Sequence, residues 1–333
     1  MLINIFINNK SYKMRSELTI LQACERLNID VPKFCYHDKL NVAGNCRMCL
    51  VEVEKSPKPV ASCATPLVDN MKIFTNTPLV KKARESVLEF LLVNHPLDCP
   101  ICDQGGECDL QEHTFDYASD RSRNFLYNRR AVQDKECGPI IKTIMTRCIH
   151  CTRCVRFIHQ VTGKYSFGTL GRGRDTEIGM YIKDFLKTEL SGNLVDLCPV
   201  GALTSKPYAF TARKWELNRV ESIDCFDAIG SHINIFTRNQ TNSSNNFSEN
   251  YENETDRILR ILPKYNEDIN QAWISDKSRH AFDGLYKNRA VSFLLKKNNV
   301  LKELSRNNLL NYITKNKIFR EHKFNKGFTN NLI

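Results

Sequence analysis

The chain has 333 residues, including 14 cysteines, and carries a formal net charge of +11. Its length indicates two to four compact units rather than one small domain. The sequence opens on an alternating strand pattern rather than a signal peptide, and its apolar stretches are far shorter than the roughly 20 residues of a membrane helix, so we expect a chain that is at most peripheral to a membrane.

The positive charge is concentrated at the C-terminus. The stretch from Lys296 to Ile333 contains nine lysine and arginine residues, two acidic residues and many asparagines. We interpret it as a basic, Asn/Lys-rich tail that is solvated or covered by a partner. Nucleic-acid binding is not favoured, because the rest of the chain carries little excess charge.

Residues 1–78 are predicted to form a small domain of strands and a helix. The alternation from Ile3 to Ile7, followed by Asn8-Asn9, indicates a hairpin. A short helix should begin at Thr19, and further strands are expected at 50–53 and 59–61.

This first domain also carries four cysteines with C-x10-C-x2-C-x13-C spacing. Four thiolates satisfy a 2Fe–2S cluster, although the spacing departs from the plant-ferredoxin pattern. Gly44 would let backbone amides approach the sulfurs closely. The predicted 2Fe–2S ligands are Cys35, Cys46, Cys49 and Cys63.

Residues 79–140 contain a second group, which is one thiolate short of four. An amphipathic helix at 79–93 ends at His95-Pro96, just before a C-x2-C-x5-C run that includes the flexible Gly105-Gly106. The position of His95, four residues before the first cysteine, favours it as the missing ligand, and from Cys108 the sequence should become helical and acidic. The predicted 4Fe–4S ligands here are His95, Cys99, Cys102 and Cys108.

Residues 141–217 contain the strongest motif, a C-x2-C-x2-C turn followed by a remote Cys-Pro. Three closely spaced thiolates and one distant thiolate are typical of a 4Fe–4S site in a double-ferredoxin domain. The second cysteine triad of such a domain is absent, since Ser191, Gly192 and Asn193 occupy its place. A helix is expected from near Val155 and a hairpin at 167–182. The predicted ligands are Cys148, Cys151, Cys154 and Cys198.

The composition changes beyond residue 217. Residues 218–295 are predicted to form a further module with strand-like sequence at 220–235, a polar loop at 239–253 and a compact charged stretch at 273–285. The remaining cysteines are isolated: we interpret Cys24 as a core residue and Cys137 as structural, while Cys225 has no second cysteine near it.

Two other interpretations of the cysteines remain. Disulfides suit short secreted domains, whereas this chain has C-x2-C steps and no export signal. Zinc also accepts four thiolates or three with a histidine, but it usually pairs two C-x2-C knuckles. No Walker or dinucleotide-binding loop is present, so bound NAD, flavin or molybdenum is not expected and the reductant must come from a partner.

The order of these motifs resembles the large iron–sulfur subunit of respiratory complex I, NADH:quinone oxidoreductase. The matching segments contain all twelve predicted ligands except Cys63 and Cys198. They are FCYH at 34–37, GNCRMCLVEV at 44–53, HPLDCPICDQGGECDLQ at 95–111, RCIHCTRCVRF at 147–157 and WISDKSR at 273–279.

The resemblance implies an α+β multidomain fold. It would comprise a β-grasp, ferredoxin-like 2Fe–2S domain, a helical His/Cys-ligated 4Fe–4S segment, a double-ferredoxin-like 4Fe–4S domain and the start of a molybdopterin-oxidoreductase-like domain. The family usually carries that last domain in full, whereas here the basic tail follows its opening module. A separate chain could supply the rest.

The implied function is electron relay without a substrate site. Electrons would come from the flavin/NADH-binding subunit and continue toward quinone through one 2Fe–2S and two 4Fe–4S clusters. The other expected partners are subunits of the peripheral arm. The expected location is the matrix side of the mitochondrial inner membrane, reached only through the complex, or alternatively the cytoplasmic face of a bacterial inner membrane.

Two alternative functions share some of these sequence features. A diaphorase or hydrogenase small subunit would carry the same three sites but would normally end near residue 220. A zinc-bearing nucleic-acid-binding protein is supported only by the basic tail.

Overall fold

The computed structural model describes residues 2–124, 129–180, 186–238, 257–286, 293–297 and 300–315. The chain divides into two compact units, Met1–His280 and Ala281–Ile333. The predicted polar loop at 239–253 lies outside the described residues. No helix in the described ranges combines the length and the apolar character needed to span a bilayer.

The first unit begins with a five-stranded mixed sheet. Its strands are β1 (Leu2–Ile7), β2 (Lys10–Arg15), β3 (Leu50–Val53), β4 (Val60–Ala61) and β5 (Met71–Phe74). The order is β2-β1-β5-β3-β4, with β1 parallel to β5 and the other neighbours antiparallel. Asn8 and Asn9 have φ values of 49° and 67°, as a tight hairpin turn requires. The predicted hairpin is therefore confirmed.

Helix α1 (Ile20–Arg26) belongs to the same core as this sheet. Thr19 accepts a hydrogen bond from the Gln22 amide, and the Gln22 side chain accepts one from the Thr19 amide, which forms a capping box. The predicted helix start is confirmed. Cys24 is fully buried in the core shared by α1 and β1, which confirms its interpretation as a core residue.

Helix α2 (Pro78–Asn94) begins after the N-cap Thr77 and ends at His95. Its fully buried positions are Val80, Arg84 and Leu88, at four-residue spacing. The sequence predicted an amphipathic helix at 79–93, and Arg84 is nevertheless buried on it and donates a hydrogen bond to the Leu50 carbonyl oxygen at 3.1 Å. This bond to β3 offsets part of the cost of burying the guanidinium.

Helix α3 (Asp109–Tyr117) follows Cys108 directly, and two acidic residues in its first turn complement the positive end of the helix dipole. The prediction that the chain becomes helical and acidic after Cys108 is confirmed. Helices α2 and α3 pack against each other.

The middle of the chain folds around a pair of short strands. Strand β6 (Ile141–Thr143) precedes the cysteine-rich turn, β9 (Leu203–Ser205) follows Cys198, and the two pair antiparallel with Thr143 opposite Leu203. This pairing brings together two cysteine-bearing segments that are distant in sequence.

Between these strands the chain forms two helices and a hairpin, namely α4 (Arg153–Gln160), β7 (Phe167–Leu170), β8 (Glu177–Met180) and α5 (Asn193–Leu197). The predicted hairpin is confirmed by the β7–β8 pairing, and the predicted helix begins two residues earlier than expected. Cys137 is buried in the core of this region, as its structural interpretation requires.

The rest of the first unit contains a three-stranded antiparallel sheet and a short helix. The elements are β10 (Asn218–Ile223), β11 (His232–Arg238), β12 (Arg257–Pro263) and α6 (Asp276–His280).

The second unit contains a 3-10 helix at Ala281–Tyr286, a hairpin of β13 (Phe293–Lys297) and β14 (Val300–Leu304), and α7 (Arg306–Lys315). The predicted domain boundary between residues 295 and 296 lies where the composition becomes basic, but it falls inside β13. Strand pairing depends on the local residue pattern and not on net charge. The other domain boundaries stay predictions.

Candidate metal centres

The first cysteine group lies in the loops that connect the five-stranded sheet. Cys35, Cys49 and Cys63 are almost completely buried, and Cys46 is partly exposed. Hydrogen bonds from the Cys46 and Cys63 thiols lower the pKa of Cys35 to about 2, and one from Cys63 lowers the pKa of Cys49 to about 6. The four sulfurs are therefore linked to one another through hydrogen bonds.

The backbone around this group points amides at sulfur. The N–H of Cys35 donates to the Cys46 sulfur over an N···S distance of 3.4 Å, and the amides of Asn45 and Cys46 donate to the Cys35 sulfur. Gly44 makes this possible with a φ of 63°, a conformation that glycine adopts without strain. Such N–H···S bonds stabilise thiolates in iron–sulfur sites.

The second group starts at the C-terminal end of α2. Arg129 donates to the backbone carbonyl of His95 and to those of Leu92 and Val93, and so fixes the end of the helix. Burial, followed by the positive charges of Arg147 and Arg129, lowers the pKa of His95 to about 4. Its imidazole is consequently neutral at physiological pH, which is the form that binds metals.

The cysteines of the second group differ in exposure. Cys99 opens a 3-10 helix and is exposed, whereas Cys102 and Cys108 are buried. Burial raises the pKa of Cys108 to about 11, although the first amides of α3, those of Leu110 and Gln111, donate to its sulfur.

Arg213 holds the loop of the second group from outside. Its guanidinium donates to the carbonyl oxygens of Pro100, at 2.7 Å, and of Cys102. This contact fixes the backbone within the 3-10 helix and at the residue that follows it.

The third group is held by the turn before α4 and by the end of α5. Burial raises the pKa of each of its four thiols, to about 12 for Cys148 and Cys198. The charges of the other three cysteines also raise the pKa of Cys154. His150 and Thr152 have positive φ values of 55° and 60°, which tightens the turn that leads from Cys148 into α4, where Cys154 is the second residue.

The second and third groups meet at the segment Cys198-Pro199-Val200-Gly201. The Pro199 carbonyl oxygen accepts hydrogen bonds from the Asp109 amide at 3.1 Å and from the Cys108 thiol at 3.7 Å. A cavity of about 200 Å³ lies nearby and is lined by residues that include His95 and Cys148.

The donor sets fit iron–sulfur clusters by their chemistry, with soft sulfur ligands, a neutral imidazole and amides directed at sulfur. No three or more His, Cys, Asp or Glu side chains among the described residues are arranged around the position of a single metal ion. All fourteen cysteines are described, and each is free in this structure. The individual ligand assignments stay predictions.

Sequence reasoning missed five arginines that contact these groups or the residues beside their predicted ligands. They are Arg129, Arg147, Arg153, Arg156 and Arg213. Three of them, Arg147, Arg153 and Arg156, lie within or next to the C-x2-C-x2-C motif, which was the only available signal. Nothing in a sequence distinguishes a buried arginine from a solvated one, because long side chains of both kinds occur in helices and turns.

Four family models match the chain. Residues 1–78 match a 2Fe–2S iron–sulfur cluster binding domain, residues 84–123 the NADH-ubiquinone oxidoreductase-G iron–sulfur binding region, and residues 138–204 the ferredoxin-like domain of NADH-quinone oxidoreductase subunit 3. Residues 250–283 match the NADH-ubiquinone oxidoreductase NDSU1/NuoG-like 4Fe–4S domain, although this segment contains no cysteine.

Several curated proteins are similar over most of the chain. A 75 kDa subunit of NADH-ubiquinone oxidoreductase from Reclinomonas americana is 61% identical over 301 residues, which are 90% of this chain and 41% of the relative. The mitochondrial iron–sulfur protein 1 of NADH dehydrogenase from Solanum tuberosum is 56% identical over 287 residues, or 86% of this chain and 37% of the relative. The chain therefore spans about two fifths of the length of these relatives.

A solved structure shares the fold. It is that of an NAD+-reducing NiFe hydrogenase in the H2-reduced state, with a TM-score of 0.58 and 24% sequence identity. The match covers 63% of this chain and 90% of the hydrogenase chain. At this identity the likeness concerns the fold alone.

Proposed function

Because the chain belongs to the family of the large iron–sulfur subunit of NADH:ubiquinone oxidoreductase, we propose that it relays electrons from a flavin-bearing neighbour toward quinone. The chain contains a 2Fe–2S domain and 4Fe–4S binding regions. The activity and partners of the whole enzyme are part of the proposal, since the relatives are more than twice as long.

The three groups described above are the proposed ligand sets. The 2Fe–2S cluster would be held by Cys35, Cys46, Cys49 and Cys63, one 4Fe–4S cluster by His95, Cys99, Cys102 and Cys108, and the other by Cys148, Cys151, Cys154 and Cys198. Iron–sulfur clusters supply one-electron redox chemistry at potentials that ligand type, hydrogen bonds to sulfur and burial adjust. The chain would set the cluster potentials through these three properties.

The observation that carries the proposal is the continuity of contacts among the three groups. Arg156 donates hydrogen bonds to the carbonyl oxygens of Cys35 and Cys151, which joins the first group to the third. The Pro199 carbonyl, adjacent to Cys198, accepts from Cys108, which joins the third group to the second. These contacts support a path in the order Cys35 group, Cys148 group, His95 group.

Electrons would leave the chain at the exposed end of this path. Cys99 is exposed and is flanked by Leu97 and Ile101, whose exposed fractions are 82% and 61%. Large apolar side chains at the surface are typical of contacts with another protein. We place the next electron carrier of the peripheral arm here and the flavin/NADH-binding subunit near the Cys35 group, the other end of the path.

The location and the C-terminal region complete the proposal. The chain would lie on the matrix side of the mitochondrial inner membrane and reach the membrane only through the complex; a bacterial enzyme would place it on the cytoplasmic face. The sheet of β10–β12 would be the start of a molybdopterin-oxidoreductase-like domain. A separate chain could supply the remainder of that domain.

Metal analysis of the purified chain tests the function most directly. The three clusters require about ten iron atoms and a matching amount of acid-labile sulfide per chain, and they should give the protein a brown colour. Reduction should produce electron paramagnetic resonance signals of one 2Fe–2S and two 4Fe–4S centres. A colourless chain with three zinc ions would refute the proposal and favour the zinc alternative. Reduction by NADH in the presence of the flavin subunit, but not by H2 with a hydrogenase subunit, would separate it from the hydrogenase alternative.

A further inference from the structure

Arg156, on the first turn of α4, contacts two candidate metal centres at once. Its Nη2 atom donates to the carbonyl oxygen of Cys35 and, at 3.3 Å, to that of Cys151. Its Nη1 atom donates to the Asn41 carbonyl at 2.5 Å, and its Nε atom donates to the Thr152 hydroxyl at 3.3 Å. One guanidinium therefore fixes the backbone of a predicted ligand in each of two groups.

These contacts leave the positive charge of Arg156 without an acidic partner. In the part of the chain that the structure describes, its hydrogen bonds reach carbonyl and hydroxyl oxygens, and no carboxylate pairs with it. The side chain is partly buried, so solvent screens its charge less than it would on the surface.

Two neighbouring contacts cross the same boundary between the first and third groups. Arg153 donates to the Tyr36 carbonyl at 2.8 Å, and the Asn45 side chain donates to the His150 carbonyl at 3.0 Å. Of these three side chains, only that of Arg156 bonds to the carbonyl of a predicted ligand on both sides. Its planar fork of donors suits such a double contact, which a lysine ammonium cannot reproduce with the same geometry.

We propose that Arg156 is a positioning residue shared by the Cys35 and Cys148 groups, and that its fixed positive charge favours the reduced state of both. It would hold the two groups at a constant separation through the two carbonyl contacts. Adding an electron makes each group more negative, so a nearby unpaired cation stabilises the reduced form of each. The inference rests on the proposed function, because it assumes that both groups bind clusters.

Redox titration of the full-length, cluster-loaded chain tests the electrostatic part. In R156Q, the ratio of reduced to oxidised protein at a fixed potential should fall about tenfold for both the Cys35 and the Cys148 groups, which corresponds to about 59 mV for a one-electron couple. The His95 group should be unaffected. R156K retains the charge and should stay close to the unmodified protein. R121Q is the control, since the Arg121 side chain is 90% exposed and, in the described structure, forms an ion pair with Asp120 alone.

Hydrogen–deuterium exchange of the metal-free chain tests the positioning part without any cluster. Both R156Q and R156K should increase exchange in the peptides covering 35–41 and 148–154, because both lose the double contact, and R121Q should not. The inference would be overturned by unchanged potentials in R156Q, by equal shifts in all three groups, or by unchanged exchange in both Arg156 variants. Absence of iron from the unmodified chain would instead refute the proposed function. The exchange experiment would still test the positioning role of Arg156 independently, because it uses the metal-free chain.

Discussion

Gly201 lies so close to the Cys102 sulfur that a Cβ atom at position 201 would be 2.1 Å from it. Gly201 lies three residues after Cys198, a predicted ligand of the Cys148 group. The backbone that follows this ligand therefore packs directly against Cys102, a predicted ligand of the His95 group. No side chain larger than hydrogen fits there without moving either the loop or the sulfur.

We predict that G201A reduces cluster incorporation at the His95 group. The added methyl group must displace Cys102, a buried predicted ligand, whereas the sulfurs of the Cys35 group have no contact with it. Iron content should fall by up to about four atoms per chain, with loss of one 4Fe–4S signal and retention of the 2Fe–2S signal. G168A is a suitable control, since a Cβ at Gly168 meets no atom within 4 Å. Full iron content in G201A would contradict this prediction, since it would show that the loop can move to accommodate the methyl group.

We predict that H95A weakens or removes one 4Fe–4S signal and leaves the 2Fe–2S signal intact. The neutral imidazole would bind one iron atom of the cluster, and this group has no fourth cysteine to replace it. H95C should retain the cluster at a lower potential, because a charged thiolate stabilises the oxidised form more than imidazole does. Paramagnetic resonance during a redox titration measures both effects. An unchanged spectrum in H95A would remove His95 from the ligand set.

The segment at 273–279 packs against Ser191, Gly192 and Asn193, which occupy the place of the missing cysteine triad. Asp276 accepts hydrogen bonds from the Ser191 hydroxyl and the Gly192 amide, both at 2.6 Å. Arg279 is buried and pairs with Asp196 at 2.6 Å. A polar network thus packs against α5, which leads into Cys198.

We predict that R279M lowers the stability of the first unit by about 3 kcal/mol, because it removes one partner of a largely buried ion pair. Thermal unfolding should occur several degrees lower, and iron should be lost from the Cys148 group on heating before it is lost from the Cys35 group. R219M provides the comparison, since Arg219 is about half exposed in its pair with Glu221 and such pairs contribute about 0–1 kcal/mol. Equal effects of the two substitutions would count against a structural role for the network.

We predict that the second unit is dispensable for all three centres but contributes to association with partner subunits. None of the predicted ligands lies beyond Cys198, and truncation after His280 follows the boundary of the unit, whereas a cut after Leu295 would divide β13. The truncated chain should retain its iron and bind partners more weakly. The difference in binding should shrink at high salt, where a basic segment is screened. Loss of iron on truncation, or unchanged assembly at low salt, would contradict this prediction.

Several local elements could be predicted because their causes are local. The Asn8-Asn9 turn, the helix start at Thr19 and the acidic, helical sequence after Cys108 depend on residues a few positions apart, and the structure confirms each of them. Tertiary contacts decide features that such local patterns do not contain. Arg84 is charged and yet buried, because the carbonyl of Leu50 on another element accepts a hydrogen bond from it.

The sequence by itself determined the three candidate ligand sets, since cysteine spacing within a loop limits which sulfurs can share one site. Only the tertiary structure decided how the sets are arranged. The pairing of β6 with β9 brings Cys198 back to the turn that contains Cys148, and the resulting fold places Gly201 against Cys102 and Arg156 between Cys35 and Cys151. These contacts join residues that are far apart in the sequence or depend on side-chain direction, and neither composition nor periodicity contains that information.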